Sequence, residues 1–327
     1  MKKERVEELL RNGVYTAEQI SAFTGFDKRE VYKILWKIKQ KHKDAFVVIN
    51  DEVNLYTLIP EIEVPDVVYP KYRIRKKRKA VYEIVKIPYD EVYLVPFGDL
   101  HFGAKSCRVD LAKQVLDWIK ENDNVAVILM GDLTDNVTKN SVGDIFEQRL
   151  TPEEQINGVI KLLRPIADKC IANIEGNHSR RTWKEAGISP DAFISAMLNI
   201  PFFPEFAVID LALNGYSVRV FATHGSTSAT TDAGKLRAMQ KTRDILLDAD
   251  IVLYGHIHSM IKHNDVIYRI RNGDLVRVHR LYVSTGGFLD YIGSYATIKN
   301  YKPTPLGTPI IHISPEGITV DDNTFRW

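Results

Sequence analysis

Two kinds of hydrophobic pattern divide the chain. Over residues 1–60 the apolar positions fall mainly at helical spacing. "TAEQ", Thr16 to Gln19, is a capping-box start for a short helix that ends near Gly25. "DKRE", Asp27 to Glu30, opens a longer one in which Val31, Ile34, Leu35 and Ile38 recur at i, i+3, i+4 and i+7, a single apolar stripe. "AFVVINDEVNLYTL" then reads as two short strands about an Asn50-Asp51 turn. From about residue 81 strands and helices alternate. "EVYLVPFGD" is a strand and "DLAKQVLDWIKEN" a helix with Leu111, Val115, Trp118 and Ile119 on one face. "VAVILMGD" is the next strand. "TPEEQINGVIKLLRPIADK" carries Thr151 as N-cap, Pro152 in the first turn and Glu154 three after the cap. "CIANIEGNH" is a further strand. Hairpins are expected around Asn214-Gly215 and Asn272-Gly273, with "DIVLYGHIH" between them and short strands in "TPIIHISPEGITV". The pattern predicts an α/β fold, a two-sheet β-sandwich flanked by helices.

Three regions follow: residues 1–60, a linker over 61–80, and a large domain over 81–327. The order helix, helix, basic helix, hairpin in the first resembles a small N-terminal winged helix. The polar face of its last helix carries Arg29, Lys33, Trp36, Lys37 and Gln40, which suits a DNA major groove. The same face would also serve as ordinary solvated surface, and winged helices also bind proteins. The linker begins with spaced prolines and ends in a run where seven of the nine residues from Lys71 to Lys79 are Lys or Arg, including Arg75, Lys76, Lys77 and Arg78. Such a run either holds a phosphate backbone or forms a flexible tether.

Composition narrows the class. Of 327 residues, 45% are hydrophobic and 26% charged, which is a globular balance. The formal net charge is only +2, so nucleic-acid binding would have to come from local patches. Two cysteines, Cys107 and Cys170, are too few for a disulfide framework or a cysteine zinc site. No apolar run has the length of a membrane span, and "MKKERVEELL" is followed by no apolar signal region. The expected setting is a reducing cytoplasm.

Chemistry gathers where apolar strands end. "VYLVPFGDLHFG" ends in Asp99 and His101, and "VILMGDLTDN" in Asp132. "IANIEGNH" ends in Asn177 and His178, "VRVFATHG" in His224, and "IVLYGHIH" in His256 and His258. Alternation along a still extended strand end would aim Asp99 and His101 the same way. Five clusters in one context, holding five of the nine histidines, are not ordinary turns. Carboxylate oxygen with neutral imidazole suits manganese, iron or zinc. Seven such ligands serve two ions if one carboxylate bridges. Asp132, central in the order, is the natural bridge. Two ions about 3.5 Å apart can clamp a phosphate and activate a water.

"GDLHFG", "GDLTDN", "GNH", "THG" and "GHIH" together resemble the five motifs of the calcineurin-like metallophosphoesterases, over about residues 90 to 260. The resemblance implies a helix-flanked β-sandwich and two divalent metal ions, manganese foremost. Asp99, His101, Asp132 and His258 would hold one ion, and Asp132, Asn177, His224 and His256 the other. His178 matches the family's histidine that binds no metal and protonates the leaving oxygen or stabilises the transition state. Ser179 stands where many relatives have an acid that orients this histidine. Arg180 and Arg181 follow, as candidates for substrate phosphate or plain surface charge. "GDLTDN" lacks the Arg-Gly of phosphoprotein phosphatases, which weakens a protein-phosphatase reading. Asp135 reads as a turn residue rather than a ligand, and His42, His263, His279 and His312 as structural or surface residues.

The leading reading is a DNA nuclease, since head, linker and "RNGDLVRVHR" add local positive charge. More distantly the large domain resembles double-strand-break repair and phage recombination nucleases. That implies DNA as partner, no membrane, a homodimer or a separate recombination protein, and a bacterial host cytoplasm with a phage or prophage origin. The alternative is a phosphodiesterase or phosphatase on a small nucleotide-like substrate, its head regulatory. A third, non-catalytic reading suits a complete ligand set poorly.

Overall fold

The computed structural model describes residues 2–12, 15–42, 46–49, 55–58, 82–139, 141, 148–271 and 273–321. Backbone contacts divide the chain into two compact units, Met1–Val68 and Tyr69–Trp327. The linker run from Lys71 to Lys79, with Arg75, Lys76, Lys77 and Arg78, lies outside the described residues.

The first unit comprises α1 (Lys2–Asn12), β1 (Tyr15–Thr16), α2 (Ala17–Thr24), α3 (Lys28–Lys41), β2 (Phe46–Ile49) and β3 (Leu55–Leu58). Its strands form an antiparallel sheet in the order β1-β3-β2. The Thr16 capping box is present, and α2 stops at Gly25 with φ 73°, a left-handed cap that glycine adopts without strain. Asp27 caps α3 by accepting from the Glu30 N–H. Val31, Ile34, Leu35 and Ile38 pack with Val6, Leu10 and Ile20 in one small core. Helical periodicity therefore became burial here.

The second unit begins with β4 (Tyr82–Lys86), β5 (Val92–Phe97), α4 (Val109–Glu121), β6 (Val125–Leu129), α5 (Pro152–Leu163) and β7 (Cys170–Ile174). It continues with α6 (Asn177–Ala186), α7 (Pro190–Leu198), β8 (Phe202–Phe203), β9 (Phe206–Ala212), β10 (Ser217–Thr223) and α8 (Asp232–Lys241). Last come β11 (Ile251–Tyr254), β12 (Lys262–Arg271), β13 (Asp274–Ser284), α9 (Tyr295–Ile298), β14 (Ile310–Ser314) and β15 (Gly317–Asp321). Two six-stranded mixed sheets result, ordered β12-β13-β11-β10-β9-β4 and β15-β14-β5-β6-β7-β8.

Strand β6 shows why the apolar runs are continuous rather than alternating. Val125, Val127 and Leu129 pack with Leu111, Val115 and Ile119 of α4 and with Val159 and Leu163 of α5. Ala126 and Ile128 face the other way, among Ile209, Val220 and Leu253 of the facing sheet. Strands covered on both faces lose the polar alternation of a half-exposed sheet. The far side of the second sheet is closed by Met239 of α8 on Phe221, Val252 and Tyr254. The layers are thus helix, sheet, sheet, helix, as the pattern predicted.

Parallel pairing brings the chemistry to one edge. β5, β6 and β7 run parallel in one sheet, and β10, β11 and β13 in the other. Their carboxyl ends are where open α/β sheets place ligands.

Candidate metal centre

Each motif sits one to four residues past a strand end. Asp99 and His101 follow β5, Asp132 follows β6, and Asn177 and His178 open α6 after β7. His224 follows β10, and His256 and His258 follow β11. The extended geometry expected for Asp99 and His101 is absent. β5 ends at Phe97, and Asp99 and His101 have φ 48° and 49°. Asp132, His256 and His258 share the left-handed region, at 48°, 67° and 47°. Five of the seven candidate ligands therefore hold a conformation that costs a non-glycine residue about 1 to 3 kcal/mol. The two side chains converge because the backbone turns sharply, a feature alternation cannot supply.

The turns fit together because two are glycine. A Cβ on Gly176 would stand 2.1 Å from both the Asp132 N and its Oδ1, and one on Gly131, at φ 84°, would meet the Gly176 Cα at 2.6 Å. The main chain after β6 thus lies against the main chain after β7 with no room for a side chain.

The donor atoms crowd. His101 Nε2 lies 3.1 Å from His258 Nε2, and His258 Nε2 lies 3.4 Å from Asp99 Oδ1. Asn177 Oδ1 is 2.9 Å from His224 Nε2 and 2.8 Å from His256 Nδ1. Asp132 Oδ2 stands between the halves, 3.2 Å from His224 Nε2 and 4.0 Å from His101 Nε2. Asp99, His101, Asp132 and His224 are all buried.

Outer partners set the tautomers. His224 Nδ1 is 2.7 Å from the Met130 carbonyl and donates to it. His101 Nδ1 is 3.3 Å from Asp135 Oδ1. With Nδ1 so engaged, each ring turns its Nε2 inward. A bare Nε2 facing the Asn177 Oδ1 sets acceptor against acceptor, unless a proton or a cation lies between them. Ligand atoms about 2.1 Å from one ion at right angles stand about 3.0 Å apart, which is the spacing seen here. The donor set and its crowding fit divalent cations.

Electrostatics agree. Burial alone would lower His224, but the Asp132 carboxylate raises it to about 9. Burial would raise Asp132, yet His224, His178 and His101 hold it well below the usual carboxylate range. Negative charge is fixed at the centre, and a proton stands where a cation would.

His178 borders this set, and its ring, His101 and Asp132 form a further group whose donor atoms all lie within 4.8 Å of one another. Its Nδ1 faces the Asp135 carbonyl, its Nε2 is 3.9 Å from Asp132 Oδ2, and its N–H donates to Asp132 Oδ1 at 2.9 Å. Burial lowers its pKa to about 4, with His101 and Arg181 adding to the effect and Asp132 opposing it. Asp135, read as a turn residue, contacts both His101 and His178. Ser179 is buried and accepts from the Asp191 N–H at 3.2 Å.

The two arginines part company. Arg180 donates to the Pro204 carbonyl at 2.6 Å and lies 3.5 Å from Glu175, outside the cleft lining. Arg181 lines the cleft, and its buried Nε has no hydrogen-bond partner. Two further residues belong to the site. Thr285 donates to Asp99 Oδ2 at 2.9 Å, and Asp191, fully buried, accepts from the Gly176 N–H at 2.8 Å. Thr285 ends the apolar run "LYVST", the same strand-end signal that marked the other clusters. His263, His279 and His312 contact Asp265, Asn264 and Glu91 respectively.

The cleft above these residues encloses about 310 Å³. A cleft of buried, cation-seeking oxygens and imidazoles can hold divalent metal and present it to an anionic ester. The family profile of calcineurin-like phosphoesterases matches residues 94–260, and the chain belongs to that family. It is a metal-dependent hydrolase of phosphoester bonds. No curated protein matches the chain.

Proposed function

We propose that this phosphoesterase cleaves phosphodiester bonds in DNA, with two divalent ions, manganese foremost, held at the strand ends. Asp99, His101, Asp132 and His258 would hold one ion, and Asp132, Asn177, His224 and His256 the other. The observation that carries the two-ion reading is the position of Asp132 Oδ2 between His224 and His101. Ions bound there supply positive charge that neutralises a phosphodiester and make water a stronger nucleophile at neutral pH.

The chain's own groups do the rest. Arg181 is one helical turn beyond Asn177 on α6, so its guanidinium shares their side of the helix. With its side chain in the cleft lining, it would orient the reacting phosphate. His178 donates an Nδ1–H hydrogen bond to the Asp135 carbonyl, so a neutral ring offers only a lone pair at Nε2. It serves as acid at Nε2 once an anionic substrate beside it favours the imidazolium.

The nuclease part of the reading rests on the first unit, which we read as a winged helix. Lys2, Lys28 and Lys41 are paired with Glu30, Glu18 and Glu7. Arg29, Lys33 and Lys37 on α3 form no ion pair among the described residues, beside exposed Trp36. Cations left unpaired on one helix face suit a phosphate backbone. The cleft's modest volume favours the second reading, a small nucleotide-like phosphodiester.

The test is hydrolysis of duplex DNA, single-stranded DNA and bis-p-nitrophenyl phosphate with manganese. The nuclease reading expects DNA cleavage that R29Q/K33Q/K37Q weakens at least tenfold while the small diester is still cleaved. Hydrolysis of the small diester alone would sink it and leave the second reading.

A further inference from the structure

Besides Arg181, a second half-buried cation in the cleft has no carboxylate in ion-pair contact among the described residues. Lys235, on the second turn of α8, lines the cleft, half-buried. Its Nζ donates to Ser259 Oγ at 2.6 Å. Ser259 is buried and follows His258 directly, so the ammonium stands next to the metal-binding residues. Its three donors are met by one hydroxyl, and among the described residues no carboxylate pairs with it. Asp232, one turn earlier, is held by Lys302 at 2.7 Å. Among the described residues, the carboxylates in the lining are those of Asp132 and Asp135. Thr227, Ser228 and Thr230 line the cleft on the same side of the sequence, between His224 and α8.

A half-buried ammonium with no carboxylate in ion-pair contact is costly. Burial lowers the pKa of Lys235 from its ordinary value, with the Lys302 charge adding to the effect and Asp232 opposing it. An anion arriving beside it offsets the cost. The reacting phosphate has its own cation, Arg181, on the α6 side of the cleft.

We propose that Lys235, steadied by Ser259, is the anchor of a second phosphate subsite, which holds the phosphate next to the one being cleaved. The inference rests on the phosphodiesterase reading and sharpens it. The substrate class is a nucleotide chain or another ester carrying a second phosphate, not an isolated diester.

Calorimetry with the full chain and manganese tests this, using thymidine 5′-phosphate and thymidine 3′,5′-bisphosphate as probes. Wild type should bind the bisphosphate about tenfold more tightly, the worth of one charge-assisted hydrogen bond. Lys235→Gln should bring the two affinities together. Lys235→Arg, which keeps the charge, should retain the preference, as should Lys302→Gln, whose charge is spent on Asp232. No preference in wild type, or a preference that survives Lys235→Gln, overturns the proposal. Equal weakening of both probes by Lys235→Gln also overturns it, since the lysine would then serve the reacting phosphate. Hydrolysis of bis-p-nitrophenyl phosphate by the same preparation is read separately. Its absence would count against the phosphodiesterase reading, while the affinity ratio still reports the subsite.

Discussion

Asp191 shows what a single residue contributes beyond the ligands. Its carboxyl is wholly buried and accepts from the Gly176 N–H, just before Asn177. Burial raises its pKa to about 7, against about 3.9 in an unfolded chain. The folded state therefore keeps a proton that the unfolded state gives up. Its contribution is complete below about pH 4 and is lost as pH rises through about 7. Asp191→Asn retains the acceptor and removes the titration. Urea unfolding should show the variant gaining on wild type by about 2 to 4 kcal/mol between pH 4 and pH 8, and a constant difference would refute the assignment. Gly176→Ala is the steric counterpart. Its Cβ would overlap Asp132, so loss of most metal affinity is expected by calorimetry, and unaltered affinity would show that the turn can yield. His224 adds a third expectation. A ring raised to about 9 must lose its proton to become a ligand. Manganese binding at pH 7.5 should release protons, measured in buffers of different ionisation enthalpy.

At the scale of elements, the central strands were legible, because burial on both faces writes long apolar runs into the chain, whereas β4, β8, α6 and α7 were not anticipated. The capping boxes at Thr16 and Thr151 stood where the sequence put them. What alternation could not supply was the geometry after each strand. The left-handed backbone at Asp99, His101, Asp132, His256 and His258 accompanies hydrogen bonds between turns distant in sequence, as from the Asp99 and His101 N–H groups to the Gly131 and Asp132 carbonyls. The split between Arg180 and Arg181 was hidden for a similar reason, since it depends on where Pro204 and Glu175 come to lie. Asp135, Asp191 and Lys235 act through partners 12 to 43 residues away that no local motif records. His178 gives the prediction proper to this scale, because it opens α6 while its ring is gripped by the turn after β6. His178→Ala should keep manganese affinity and lose about 10² to 10⁴ in rate on esters with poor leaving groups. An equal loss on p-nitrophenyl esters would show that it does not act on the leaving oxygen.

For the whole molecule, five strand ends from two sheets supply one cluster, and neither sheet alone holds the full candidate set. Asp99, His101, Asp132 and Asn177 come from one sheet, and His224, His256 and His258 from the other. Metal affinity is thus coupled to the sandwich being assembled, and bound metal should raise the unfolding midpoint. The measurement that tests the account most directly is manganese content together with manganese-dependent hydrolysis of bis-p-nitrophenyl phosphate, in wild type and in Asp132→Asn. The account predicts two ions per wild-type chain. In the variant it predicts fewer than one ion, with activity lower by at least about 10³. An Asp132→Asn chain that hydrolyses the diester at the wild-type rate would contradict it.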